Sequence, residues 1–99
     1  MTTTKKKTKG KRVIVRTYSA GVHYGTLVSR GTDVCVLRDA KRIWSWKGAN
    51  TLHEISLRGV GAGSKVSDPV KEISLNKWIE IIPCEAAAAK NLESATWTP

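Results

Sequence analysis

From Lys11 the chain alternates with a period of two, so that Val13, Val15 and Thr17 fall on one face of an extended segment and Ile14, Arg16 and Tyr18 on the other. β-Branched residues on both faces predict a strand. Ser19-Ala20-Gly21 breaks the alternation, and it resumes from Val22 to Ser29, with Val22, Tyr24, Thr26 and Val28 set against His23, Gly25 and Leu27. Two such runs around a short glycine-containing break predict a β-hairpin. Arg30-Gly31-Thr32-Asp33 is a second turn signal and Val34 to Arg38 a short apolar third strand. After a brief break at Asp39-Ala40, Lys41 to Trp46 reads as a fourth. The first half is thus expected to be an antiparallel meander of four strands.

The second half changes period. Thr51-Leu52-His53-Glu54 has the spacing of a capping box, in which hydroxyl and carboxylate satisfy first-turn backbone donors, and Leu52 and Ile55 would face the sheet. The helix is short because Gly59 stops it. Val60 to Ser64 reads as a flexible glycine loop, and Val66 to Leu75 as extended chain whose entry Pro69 restricts. Trp78 to Ile82 is a strong strand signal ended by Pro83. Glu85 to Leu92, with four alanines and Lys90 late in the run, reads as a helix. The order of four strands, helix, two strands, helix predicts an α+β domain built on a mainly antiparallel sheet of five to six strands. There is no internal repeat and no second domain signal.

Charge changes this picture at one end only. The net charge is +9, yet six of the seventeen basic residues (Lys5, Lys6, Lys7, Lys9, Lys11 and Arg12) sit in the first twelve, which leave eleven basic against eight acidic residues for the remainder. Residues 1–11 are expected to be a disordered basic tail and residues 12–99 a single domain whose last segment is anchored by Trp97. Such a tail can hold nucleic acid without sequence preference, through counterion release, or serve as a solubilising leader. Cys35 and Cys84 lie in apolar runs without metal-ligand spacing and read as small buried hydrophobes. No run approaches the roughly 20 apolar residues of a membrane span, so no membrane association and a cytoplasmic setting are expected.

The candidate chemistry is binding. Gly59 to Val66 lacks the order of a phosphate loop, although its backbone donors and Lys65 could close over a phosphate as a nest. His23 and His53 are the only histidines, no serine sits at a strand-to-helix elbow, and no acids pair on one face; no enzyme activity, metal or cofactor is expected. What remains is basic and aromatic. Arg16 and Tyr18 share a face of the first strand, His23 lies across the turn, and Arg42, Trp44 and Trp46 share a face of the fourth. If these converge, guanidiniums can pair phosphates while rings stack on bases. The competing expectation is that the aromatics are core, with the arginines at its rim.

Val15 to Leu27, Ala40 to Ala49 and Ile79 to Cys84 resemble segments of a family of small phage and prophage proteins of uncharacterised function, over roughly residues 12 to 92. In size and element order the chain is also similar to the phage sponges of the Thoeris anti-defence protein one family, which assemble as oligomers and sequester cyclic nucleotide immune signals. That likeness carries over no ligand residue. It implies a phage-encoded homo-oligomer in the bacterial host cytoplasm that captures a small phosphate-bearing nucleotide, while the pattern of basic and aromatic residues, not the likeness, makes Arg16, Tyr18, His23, Arg42, Trp44, Trp46 and Lys65 the expected ligand-binding set. The alternative is a nucleic-acid-binding accessory protein that uses Lys5, Lys6, Lys7, Lys9, Lys11 and Arg12 for affinity and the sheet face for stacking.

Overall fold

A computed structural model describes residues 11–95, so Lys5, Lys6, Lys7 and Lys9 of the basic tail and the Trp97 anchor lie outside the described residues. Six strands and two helices follow in the order β1 (Arg12–Thr17), β2 (Val22–Arg30), β3 (Val34–Ser45), α1 (Leu52–Arg58), β4 (Lys65–Val66), β5 (Val70–Asn76), β6 (Trp78–Pro83) and α2 (Ala86–Ser94). All strand pairs are antiparallel, as the meander predicts. The fold is α+β with a mainly antiparallel six-stranded sheet.

The expected third and fourth strands are one. Asp39-Ala40 is a bulge inside β3: Thr26 faces Arg38 and Tyr24 faces Lys41, so Gly25 alone opposes two residues. Asp39 takes φ 52 to make the step. Gly25 gives the bulge room, because a Cβ on it would lie 3.1 Å from the Arg38 carbonyl oxygen and 3.2 Å from Ala40 Cα. An extra residue also inverts the face parity. Cys35 and Leu37 therefore point to one side of β3, and Lys41 and Ile43 to the other.

Two cores result. Ile14, Tyr24, Ile43 and Val66 meet Ile55 of α1 and Leu92 of α2 on the helix side. Val13, Val15, Cys35, Leu37 and Leu75 form the opposite side. Each large aliphatic chain buried in this way contributes roughly 1.5–3 kcal/mol. The hydrogen-bonded path runs β4-β3-β2-β1-β6, with β5 also on β3. Since Lys77 alone joins β5 to β6, at φ 55, the outer strands meet at one corner and the sheet curls around the second core.

The helices dock by specific polar contacts. The Thr51 side chain accepts from the Glu54 amide, while Glu54 accepts from the amide of Asn50, one residue earlier than a standard capping box. Asn91 of α2 accepts from the Val60 amide at 2.8 Å and donates to the Val60 carbonyl at 3.1 Å. The glycine loop is not open: Gly61 donates to the Lys47 carbonyl at 2.7 Å and Ser64 Oγ accepts from the Lys47 amide at 2.9 Å. Among the described residues no helix is long and apolar enough to cross a membrane.

Candidate functional site

At one end of the sheet the β1–β2 turn stands against the end of β3. Thr17 builds the turn, its hydroxyl donating to the Gly21 carbonyl at 2.9 Å and accepting from the Ala20 amide at 2.8 Å, and Gly21 takes φ 88. The geometry turns the Ala20 carbonyl back toward β2 and β3. There it accepts from His23 Nε2 at 2.8 Å and from Arg42 Nη2. Since a carbonyl only accepts, His23 carries its proton on Nε2. His23 and Arg42 are cross-strand neighbours. The histidine, 4% exposed, has its pKa lowered by burial, partly offset by the Ala20 bond, with the Arg42 charge lowering it further. His23 thus presents no surface to a ligand and acts as a brace for the turn.

Arg42 projects over this turn, and its main chain is clamped by Ser67, whose hydroxyl accepts from the Arg42 amide at 2.8 Å and whose amide donates to the Arg42 carbonyl at 2.9 Å. Among the described residues no carboxylate forms an ion pair with Arg42. Arg42, Trp44, Trp46 and Ser19 to Val22 line a cleft of about 390 Å³. That is within the roughly 300–1,000 Å³ range of small-molecule sites. Trp44 is the extra residue of a second bulge, because Ile43 faces Val66 and Ser45 faces Lys65. The bulge leaves its indole 50% exposed, with Lys65 Nζ 5.0 Å from the ring centroid. Trp46 follows the end of β3 and packs against the helix-side core, separating this cleft from another.

The neighbouring cleft, of about 360 Å³, is bounded by Val22, Trp46, Leu52, His53, Arg16 and Glu80. Arg16 is already engaged: its Nε and Nη2 lie 3.1 and 2.9 Å from Glu80 Oε2. A ligand phosphate would have to compete with that carboxylate. The expected set is therefore only partly assembled. Arg42, Trp44 and Trp46 line one cleft, Lys65 stands over the Trp44 ring, and Arg16 borders the separate cleft on the far side of Trp46. Tyr18 joins neither. It was expected to share the face of Arg16, but β1 ends at Thr17 and a bulge at Ile79 breaks the register. Tyr18, 76% exposed, lies instead in a surface depression with Asp33, Lys77 and Trp78.

In the glycine loop, Gly61 donates its amide to the Lys47 carbonyl and Ser64 donates its amide and hydroxyl to the Gly61 carbonyl. Of the basic residues expected to grip nucleic acid, Arg12 is paired with Glu93 at 2.9 Å, and Lys11 supplies its carbonyl to the Leu27 amide. Leu52, His53 and Glu80 were missed as lining residues. Their only sequence signals, a helix start and one acid in a strand, are too common to single out. Elsewhere, Tyr24 Oη donates to Glu93 Oε2 at 2.7 Å, and burial together with Glu93 raises its pKa. Both thiols are free, and burial raises Cys35 and pushes Cys84 up to about 12, so neither is a thiolate at neutral pH.

Residues 10–92 match the family described as a domain of unknown function (DUF6948). No curated protein and no solved structure matches the chain.

Proposed function

The chain belongs to the family described as a domain of unknown function (DUF6948), and we propose that it is a non-enzymatic binding protein for a small phosphate-bearing nucleotide. The observation that carries this reading is Arg42, a guanidinium without a carboxylate partner among the described residues, at the rim of a cleft walled by two indoles. A guanidinium keeps its charge at every working pH and offers paired donors to phosphate oxygens, while indoles stack on flat rings. Lys65 above Trp44 adds a second positive charge on the same side. With His23 buried against Ala20 and both thiols held protonated, the side chains around Arg42 favour recognition over catalysis.

The resemblance to phage sponges gives this binding a role: a phage protein in the host cytoplasm that holds a cyclic nucleotide immune signal and releases it intact. A homo-oligomer belongs to the same proposal, supported by exposed Tyr18, Trp44 and Ile79, and light scattering on the purified chain tests it. The binding itself is tested by thermal shift and calorimetry against cyclic dinucleotides, ADP-ribose derivatives and short single-stranded DNA. A ligand at a hundredfold excess over its Kd should stabilise the fold by about 2.7 kcal/mol. Arg42→Ala should abolish the shift. No shift with any phosphate-bearing nucleotide would sink the reading.

A further inference from the structure

His23 and Arg42 meet on one atom. The Ala20 carbonyl accepts from His23 Nε2 at 2.8 Å and from Arg42 Nη2, so an imidazole and a guanidinium from paired positions of β2 and β3 share a single oxygen. Both lone pairs of that oxygen are thereby engaged. Arg42 lies along the turn, its Nε 3.4 Å from where a Gly21 Cβ would stand. A second proton on His23 goes to Nδ1, because Nε2 already carries one. The bond to Ala20 survives that step and only the charge changes: two cations then stand side by side on one acceptor. The remaining surroundings of His23 are neutral. β1 sets Val15 across from it, the turn contributes Ala20, and Arg42 is the one charge acting on the imidazole among the described residues. Asp68, next to the Ser67 clamp, acts on Lys41 of the helix side. Arg16 and Glu80 pair with each other on the opposite face, which Arg16 shares with Ile14 by alternation.

We propose that an anion seated on Arg42 and a proton on His23 bind cooperatively, so that this end of the sheet is a proton-linked anion site that holds a phosphate group more tightly as the medium acidifies. The inference rests on the nucleotide reading in one respect, that Arg42 is the phosphate seat. An oxyanion on Arg42 offsets the guanidinium charge that opposes protonation of His23, and by linkage the proton raises the affinity of the anion by the same factor. The sign follows from the charges alone. His23 is neutral above its folded pKa, which lies below the ordinary 6.5, and affinity rises as pH falls through it. His23 does this as a positioning residue, through charge and without touching the ligand.

The test is an NMR titration of the full chain, followed at the histidine ring protons between pH 8.0 and 4.5, in sodium sulfate and in sodium chloride at equal ionic strength. Sulfate is the probe because it stays divalent over this range, whereas a phosphate monoester takes up a proton at about pH 6. The His23 pKa should rise by about half a unit or more in sulfate. Sulfate affinity, read from the backbone amides of the turn, should be about threefold or more higher at the acid end, which is that shift expressed through linkage. Arg42→Ala should raise the His23 pKa in chloride and abolish the further rise in sulfate. His23→Gln keeps an N–H for the Ala20 carbonyl and takes no proton, so it should lose the acid-strengthened affinity. Circular dichroism melting confirms that both variants are folded. Sulfate that shifts the turn amides while the His23 pKa stays fixed overturns the coupling and leaves the nucleotide reading standing. An equal rise in folded Arg42→Ala also overturns it. Absence of sulfate binding overturns the coupling too, whereas the nucleotide reading falls only if the nucleotides of the thermal-shift screen fail as well.

Discussion

Lys41 is 4% exposed on the helix face of β3, and its Nζ donates to the carbonyls of Leu92, Glu93 and Ala95 at 3.0, 3.0 and 2.8 Å. Helix α2 has no basic residue in its last turn, so a cation supplied by the sheet satisfies its terminal carbonyls. Burial lowers the Lys41 pKa, opposed by the charges of Asp68 and Glu93. Lys41→Met keeps the stem and removes all three donors, and should cost on the order of 3 kcal/mol by chemical denaturation. A loss below about 0.5 kcal/mol would show that water replaces the ammonium. His23 supplies a pH prediction. Its folded pKa lies below the unfolded value of about 6.5, so the unfolded chain binds the proton first, and the stability present above pH 6.5 is lost as pH falls through that value toward the folded pKa. The urea midpoint should drop between pH 7.5 and 5.5, and by less in His23→Gln.

At the scale of elements, departures from regularity position the site. Val28, Trp44 and Ile79 are each the unmatched residue of a bulge, and each is exposed. A bulged residue leaves the pleat and is re-aimed, which explains why large apolar side chains meet solvent in strands whose neighbours are buried. The end of α1 is equally specific. Gly59 has φ 87, and a Cβ on it would overlap the Asn91 amide that ties α2 to Val60. Gly59→Ala combines left-handed strain with displacement of that amide and should lower stability by about 3 kcal/mol, read as a fall in the denaturation midpoint. If Gly59→Ala melts with the parent, the tie between the helices does not contribute to stability.

Across the whole molecule, charge separates the two binding readings. A nucleotide held by Arg42 and Lys65 neutralises one or two phosphates, so its affinity should fall by less than about tenfold between 50 and 200 mM salt. Nucleic acid gripped by the Lys-rich start would lose about a thousandfold or more over the same range, and single-stranded DNA titrated into the full chain at both salts reads the difference. Period-two alternation, the turn at Ser19-Ala20-Gly21, the Thr51 cap and the alanine run were enough to find most of the strands and both helices, since these depend on neighbours two to four residues away. Arg42 was legible as a candidate for a similarly local reason, a guanidinium two positions from an indole. Tertiary structure decided the rest. Whether Asp39-Ala40 ended a strand or bulged it depended on Gly25 across the ladder, and that single inserted residue set which side of the sheet received Lys41 and which received Arg42. Long-range pairing likewise placed Glu80 on Arg16, turned His23 into a brace and sent Tyr18 to another surface. Composition and local alternation determine which residues can form strands, but register across strands determines what each side chain meets, and one bulge inverts it.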